Sequence, residues 1–314
     1  MIELDRRFTG LSCYTSNLVG YLAAEFEDAP RRFAESVRLA VRTDLPGELD
    51  FLHNQPGLDR LPDGTRLGYA AGSDRAHVLG ELQAELRRHG RCLAVVDNSR
   101  LPWSPGYGTS ASAPHWILLG EQAGDGWHVT DTFGGLLPAG EQEPYQGWLT
   151  TAELLAAMGP PARWRPEQRR RNSLVFGYPC PQPEGAELLW LRREADPGSA
   201  PAEPSGTWLT TDREVLPFLA QYFVDEGEHA ARYLDDLWAA ANHRAFRHRM
   251  HGNETAELAW SRLPAALRFA VDSARRQRPR WSMVQTTMAH LLELETGLSA
   301  GCAAADTASP TENR

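Results

Sequence analysis

A stretch dense in proline, Pro179 to Gly206, divides this 314-residue chain into parts with different periodicities. Pro181, Pro183, Pro197, Pro201 and Pro204 each remove a backbone donor and fix φ, so no long helix or central strand can run through the segment. It reads as a linker, 179–207, with a short strand around Leu188 to Leu191. Before it, helical and strand patterns mix. After it, Val215–Val224, Glu228–Ala245, Glu254–Ala274 and Trp281–Thr296 carry Leu, Ala, Trp and Phe at helical spacing. This predicts an N-terminal domain over 1–178, a helical domain over 208–298, and a small, polar, disordered tail over 299–314.

Within the first part, Ser12 precedes Leu18, Leu22 and Phe26, apolar residues recurring every four positions, and so reads as the N-cap of an amphipathic helix. Arg31–Val41 is a second helical candidate. Asp74–Arg88 is a third, with Val78, Leu79, Leu82 and Leu86 on one face. Strands are predicted at Cys92–Val96, His115–Leu119, Trp127–Asp131 and Ser173–Tyr178. Helices beside a mostly antiparallel sheet make the class α+β.

The helix start places Cys13 at its first position, where unpaired N–H groups and the macrodipole favour a negative sulfur. His115 and Asp131 bracket a hairpin whose connection, Gly120 to Gly126, is rich in turn formers. A register symmetric about Ala123 sets them opposite one another, with Cβ atoms roughly 4.5–5.5 Å apart. A carboxylate there fixes the imidazole tautomer and stabilises its protonated form. Thiol, base and orienting acid together are the minimum for covalent acyl transfer. His128 is expected on the opposite face from Asp131, as a structural or surface residue. For the oxyanion, the Cys13 N–H is one donor, and Thr15, Ser16 or Asn17 is the second, Asn17 by its amide.

Composition narrows the chemistry. The chain has no lysine, all of its permanent positive charge being arginine, which removes Schiff-base chemistry, a pyridoxal anchor and a phosphate-loop lysine. No GxGxxG follows a strand, and no cofactor is expected. The four cysteines are scattered without CxxC spacing, which suggests neither zinc site nor disulfide framework. His243, His248 and His251, five and three residues apart, lack metal-ligand pairing on a helix face. A net charge of −9 argues against nucleic-acid binding. No run approaches the roughly 18 apolar residues of a membrane span. Met1-Ile2-Glu3-Leu4-Asp5 lacks a signal-peptide pattern, so a cytoplasmic location is the default expectation.

The run Cys92-Leu93-Ala94-Val95-Val96-Asp97, then Leu101-Pro102-Trp103-Ser104-Pro105-Gly106-Tyr107, Pro114-His115-Trp116, Val129-Thr130-Asp131 and Tyr145-Gln146-Gly147-Trp148-Leu149 resembles the N-terminal domain of the butirosin biosynthesis protein H family. The resemblance spans Cys13 to about Pro160. It implies a papain-like domain that moves an acyl or aminoacyl group from an acyl carrier protein thioester to a small-molecule amine in secondary metabolism. By the same resemblance Cys13 is the nucleophile, His115 the general base and later acid, and Asp131 the orienting carboxylate. Asp97 matches the family's strand-end aspartate, which stands behind the site or touches substrate; its plain alternative is a turn carboxylate. Two departures stand out: Arg6-Arg7-Phe8-Thr9-Gly10 occupies the place of the papain-like oxyanion glutamine, and Ser12 the place of a frequent histidine.

An acidic carrier protein would meet arginine at Arg163, Arg165, Arg169, Arg170 and Arg171, or at Arg275, Arg276, Arg278 and Arg280, although solvated arginines account for both clusters as simply. The helical appendage suggests a homodimer. Two other readings remain: a hydrolase releasing the same intermediate to water (thioesterase, amidase or peptidase), and a catalytically silent scaffold that docks carrier proteins.

Overall fold

The computed structural model describes residues 8, 10–110, 112–137, 140–159, 164, 168, 171–178, 180, 183, 187–198 and 205–306. In chain order the elements begin α1 (Cys13–Leu22), α2 (Ala29–Ser36), β1 (Val37–Arg42), β2 (Asp50–Asn54), β3 (Thr65–Gly72), α3 (Arg75–His89) and β4 (Cys92–Asp97). There follow β5 (Pro114–Ala123), β6 (Gly126–Asp131), β7 (Gly135–Leu137), β8 (Gly140–Gln142), β9 (Tyr145–Thr150), α4 (Thr151–Ala157), α5 (Arg171–Phe176) and β10 (Leu188–Ala195). The chain continues through β11 (Trp208–Leu209), α6 (Asp212–Glu226), α7 (Leu234–Met250), α8 (Glu254–Arg275) and α9 (Trp281–Asp306). It is an α+β protein with antiparallel sheets.

One compact unit comprises Met1–Ser36 and Asn54–Pro204. Its six-stranded sheet runs β3-β10-β4-β5-β6-β9. Alternation along β5 sorts the layers. Ile117 and Leu119 join Val78 and Leu82 of α3 in one apolar core, whereas Trp116 stacks on Tyr14 of α1, ring centroids 4.2 Å apart. β4, buried at every position, lies inside the sheet. α3 starts where the Asp74 side chain accepts from the Ala76 N–H at 3.0 Å. It ends at Gly90, whose φ of 70° lets its N–H close on Leu86.

Four expectations change here. Arg31–Val41 is helical only to Ser36, after which β-favouring Val37-Arg38-Leu39-Ala40-Val41 forms β1. Ser173–Tyr178 is not a strand but lies largely in α5, because consecutive buried Leu174, Val175 and Phe176 form an apolar run that suits a strand or a buried helix equally. The strand expected around Leu188 to Leu191 is present within the expected linker 179–207, but as β10 it runs on to Ala195 and lies inside the sheet, pairing Trp190 with both Ala70 and Ala94, neither of them local in sequence. The expected first domain, 1–178, also loses residues 37–53 to the second unit.

That second unit comprises Val37–His53 and Ser205–Arg314. Its sheet has the order β11-β1-β2, with Val41 paired to Leu209, beside helices α6 to α9. α9 continues to Asp306, so residues 299–306 of the expected disordered tail are helix, and 307–314 lie outside the described residues. Among the described residues no helix is long and apolar enough to cross a membrane.

Candidate active site

Each group of the candidate site lies at the end of an element. Ser12 caps α1 from an extended conformation, its Oγ accepting from the Thr15 N–H at 3.3 Å, so Cys13 begins the helix. Before it, Gly10 has a φ of 96° and donates its N–H to the Gly134 carbonyl, tying the approach to α1 to the loop after β6. Cys13 is half-buried, and its sulfur sits 3.9 Å from the Pro114 carbonyl at the start of β5. The next residue is His115.

The hairpin brings His115 to Asp131 by a register other than the symmetric one. Gly124 and Asp125 make the turn, with Ala123 paired to Gly126, and an irregularity between Leu119 and Glu121 then shifts the ladder so that Leu118 faces Thr130. Asp131 follows directly on Thr130 and His115 stands three residues before Leu118, so the two side chains meet at the open end of the hairpin and not as a directly opposed pair. The His115 Nε2–H donates to Asp131 Oδ2 at 2.8 Å.

Both groups are buried. Burial alone would depress the His115 pKa, but the Asp131 carboxylate, together with the charge and hydrogen bond of Cys13, outweighs it and lifts the imidazole to about 10. Burial would likewise raise Asp131; the charge and hydrogen bond of His115, with donors from Asn17 and Trp103, instead hold it below the ordinary carboxylate range. Asp131 accepts from five donors: His115, Trp103 Nε1 (2.9 Å) and Gln142 Nε2 (3.0 Å) on Oδ2, and Asn17 Nδ2 (2.9 Å) and the Phe133 N–H (3.1 Å) on Oδ1. The Phe133 ring stands edge-on to His115 at 5.6 Å. With Nε2 engaged by Asp131, Nδ1 is the imidazole nitrogen left for Cys13.

The Asn17 amide, expected as an oxyanion candidate, is engaged elsewhere. Its amide nitrogen is committed to the Cys13 carbonyl (3.0 Å), the Trp116 carbonyl (2.8 Å) and Asp131, while its oxygen accepts from the Thr132 N–H (3.1 Å). A full turn beyond Cys13, it ties that residue's carbonyl to Asp131 and braces the carboxylate. Asp97 takes its plain role: Oδ1 accepts from the Ser99 N–H and hydroxyl, and Oδ2 from the Ser112 hydroxyl, closing the turn after β4. His128 stands edge-on to Trp148 at 5.3 Å, away from the site.

Trp103 and Gln142 were missed in the sequence as site residues. Trp103 lies in the Leu101–Tyr107 run that carries the family resemblance, and only its aromatic character in a loop could have marked it. Gln142 has no local signal, since its role arises from where β8 ends. His243 rests edge-on against His53 at 5.5 Å and His248 bonds to Glu295 at 2.8 Å. Among the described residues no group of three or more His, Cys, Asp or Glu could hold a metal ion. Arg163, Arg165, Arg169 and Arg170 lie outside the described residues; Arg171 opens α5, and Arg275, Arg276, Arg278 and Arg280 are exposed.

The Cys13 N–H lies in the first turn of α1, among the N–H groups that a helix leaves without an intrahelical acceptor. A sulfur at a helix start beside a base that is itself fixed by a buried carboxylate can attack a carbonyl carbon and pass protons. Compared with known proteins, the chain matches no family model and no curated protein.

Proposed function

We propose that this protein is a cysteine-dependent acyltransferase that moves an acyl or aminoacyl group from an acyl carrier protein thioester to a small-molecule amine or hydroxyl. The observation that carries the reading is the His115–Asp131 bond of 2.8 Å, placed where Cys13 begins α1. The order of nucleophile helix, histidine strand and carboxylate strand agrees with a papain-like arrangement, as the resemblance to the butirosin protein H family implies.

In the first half-reaction the Cys13 thiol proton passes to His115 and the sulfur attacks the thioester carbonyl. The tetrahedral oxyanion takes the Cys13 N–H, and on collapse the carrier thiol leaves with the proton from His115. In the second, the amine attacks the acyl-Cys13 thioester, gives its proton to His115, and the Cys13 sulfur departs with that proton. A thioester is already activated and asks less of the oxyanion site than an amide does, which suits a site without the papain-like glutamine.

The test is intact-protein mass spectrometry after incubation with a panel of acyl thioesters, free and carrier-bound. The expected result is a mass increment of one acyl group on the native protein and none on Cys13→Ala, with added amine converting the increment into acylated amine. Equal product from Cys13→Ala would refute the nucleophile assignment, and an increment lost to water at the same rate with or without amine would make the site hydrolytic.

A further inference from the structure

Three side-chain donors converge on one oxygen of Asp131, and the imidazole is only one of them. Trp103 stands out because it is held twice. Its Nε1 lies 2.9 Å from Asp131 Oδ2, and its ring stacks on Tyr145, with centroids 3.9 Å apart and planes 5° from parallel. Tyr145 is the direct partner of Asp131 across β6 and β9. The indole thus bridges the two members of one ladder pair, bonding the first and covering the second. Gln142 bonds the same oxygen at 3.0 Å, yet its buried Oε1 has no partner among the described residues, which makes its amide the less firmly fixed of the two.

We propose that Trp103 is a positioning residue for the Asp131 carboxylate: its indole N–H keeps Oδ2 ionised and in line with the His115 ring, while its stack on Tyr145 shuts the carboxylate off from water. The inference rests on the proposed catalytic use of the pair for its importance, but the bond itself does not require Cys13 to carry an acyl group. A donor to an ionised carboxylate lowers its pKa, so losing that donor lets a proton reach Asp131 at higher pH. The titratable groups that face Asp131 are His115 on β5, with Cys13 on α1 beside that imidazole, and Tyr145 on β9, and of these His115 alone bonds to the carboxylate.

The experiment follows the downfield His115 Nε2–H resonance of the full chain by NMR during acid titration, in the native protein, in Trp103→Phe, and in Tyr145→Leu, which keeps the indole but removes its stack. Trp103→Phe is expected to lose the resonance about one pH unit higher than the native protein, and Tyr145→Leu to shift in the same direction by less. The Trp103→Phe shift should persist in a Cys13→Ala background, whereas failure of the acyl-enzyme reading leaves it untouched. If Trp103→Phe does not fold, Tyr145→Leu decides. An unchanged midpoint in a folded Trp103→Phe, or in Tyr145→Leu when it alone folds, overturns the proposal.

Discussion

Asp131 shows how one buried residue links stability to pH. His115 is raised from its ordinary 6.5 to about 10, so its contribution to stability is fully present below pH 6.5 and is lost as pH rises from there through about 10. Asp131 is lowered, so its contribution is present above the ordinary 3.8 and is lost as pH falls through its depressed value. The melting temperature should therefore fall across the alkaline window, and Asp131→Asn should flatten that fall. A calorimetric series in which both proteins lose stability alike would contradict the pairing. Asn17→Ala should slow acyl-enzyme formation by about 10- to 100-fold, since it removes a brace of the carboxylate and leaves the Thr132 N–H unsatisfied. Single-turnover kinetics would measure it. Much of this site was legible in the residues. Ser12 before a four-residue apolar period marked the start of the Cys13 helix, and two β-prone runs around Gly124 marked the hairpin. The register irregularity near Gly120 was not legible, because a bulge answers to packing on both faces and not to local propensity.

Among contacts between elements, buried ion pairs outweigh exposed ones. In the helical unit Glu295 of α9 accepts from His248 of α7 and Trp260 of α8, both at 2.8 Å, and stands 3.6 Å from Arg244, which also pairs with Asp212 at the start of α6. Burial alone would raise the Glu295 pKa, but these partners draw it down to about 2. Glu295→Leu leaves Arg244 short of a buried counter-charge and should cost about 3–5 kcal/mol in urea unfolding. The Arg31–Glu35 pair has side chains 66% and 57% exposed, and Arg31→Ala should change stability by less than about 1 kcal/mol. The same logic separates glycines. Gly177, after α5, has a φ of 76°, and a Cβ there would sit 2.2 Å from the Asn54 carbonyl. Gly177→Ala should cost about 1–3 kcal/mol. α3 was legible from Asp74 and its apolar face; α5 was not, since three successive buried apolar residues carry no period.

At the scale of the whole chain, the order of residues and the order of contacts diverge. β1 and β2 come from residues 37–54 but fold largely with the unit that resumes at Ser205, where Phe51 meets Tyr233 at 5.5 Å and His53 meets His243. The Tyr233 hydroxyl accepts from the Leu49 N–H at 2.7 Å. A fragment of residues 205–314 lacks these partners and is expected to unfold without a cooperative transition, while the full chain unfolds cooperatively. Circular dichroism during urea titration distinguishes the two. The proline-dense stretch correctly signalled a change of character near Gly206, but a composition shift reports where a chain changes, not what it pairs with. Both β10 and the excursion over residues 37–53 depend on partners far away in sequence, which a single chain's periodicity does not contain.

Cys13 acts as the nucleophile only if His115 sets it apart from the other sulfurs. The most direct measurement is site-resolved iodoacetamide labelling near neutral pH, read by peptide mass spectrometry in the native protein and in His115→Ala. Cys92 is buried, and its thiol is pushed well above the usual range by burial, so it should stay unlabelled in the folded protein. Cys13 should label well ahead of Cys180 in the native protein and slow by about 100-fold or more in His115→Ala. Labelling of Cys13 no faster than Cys180, or at a rate that His115→Ala leaves unchanged, would contradict the account.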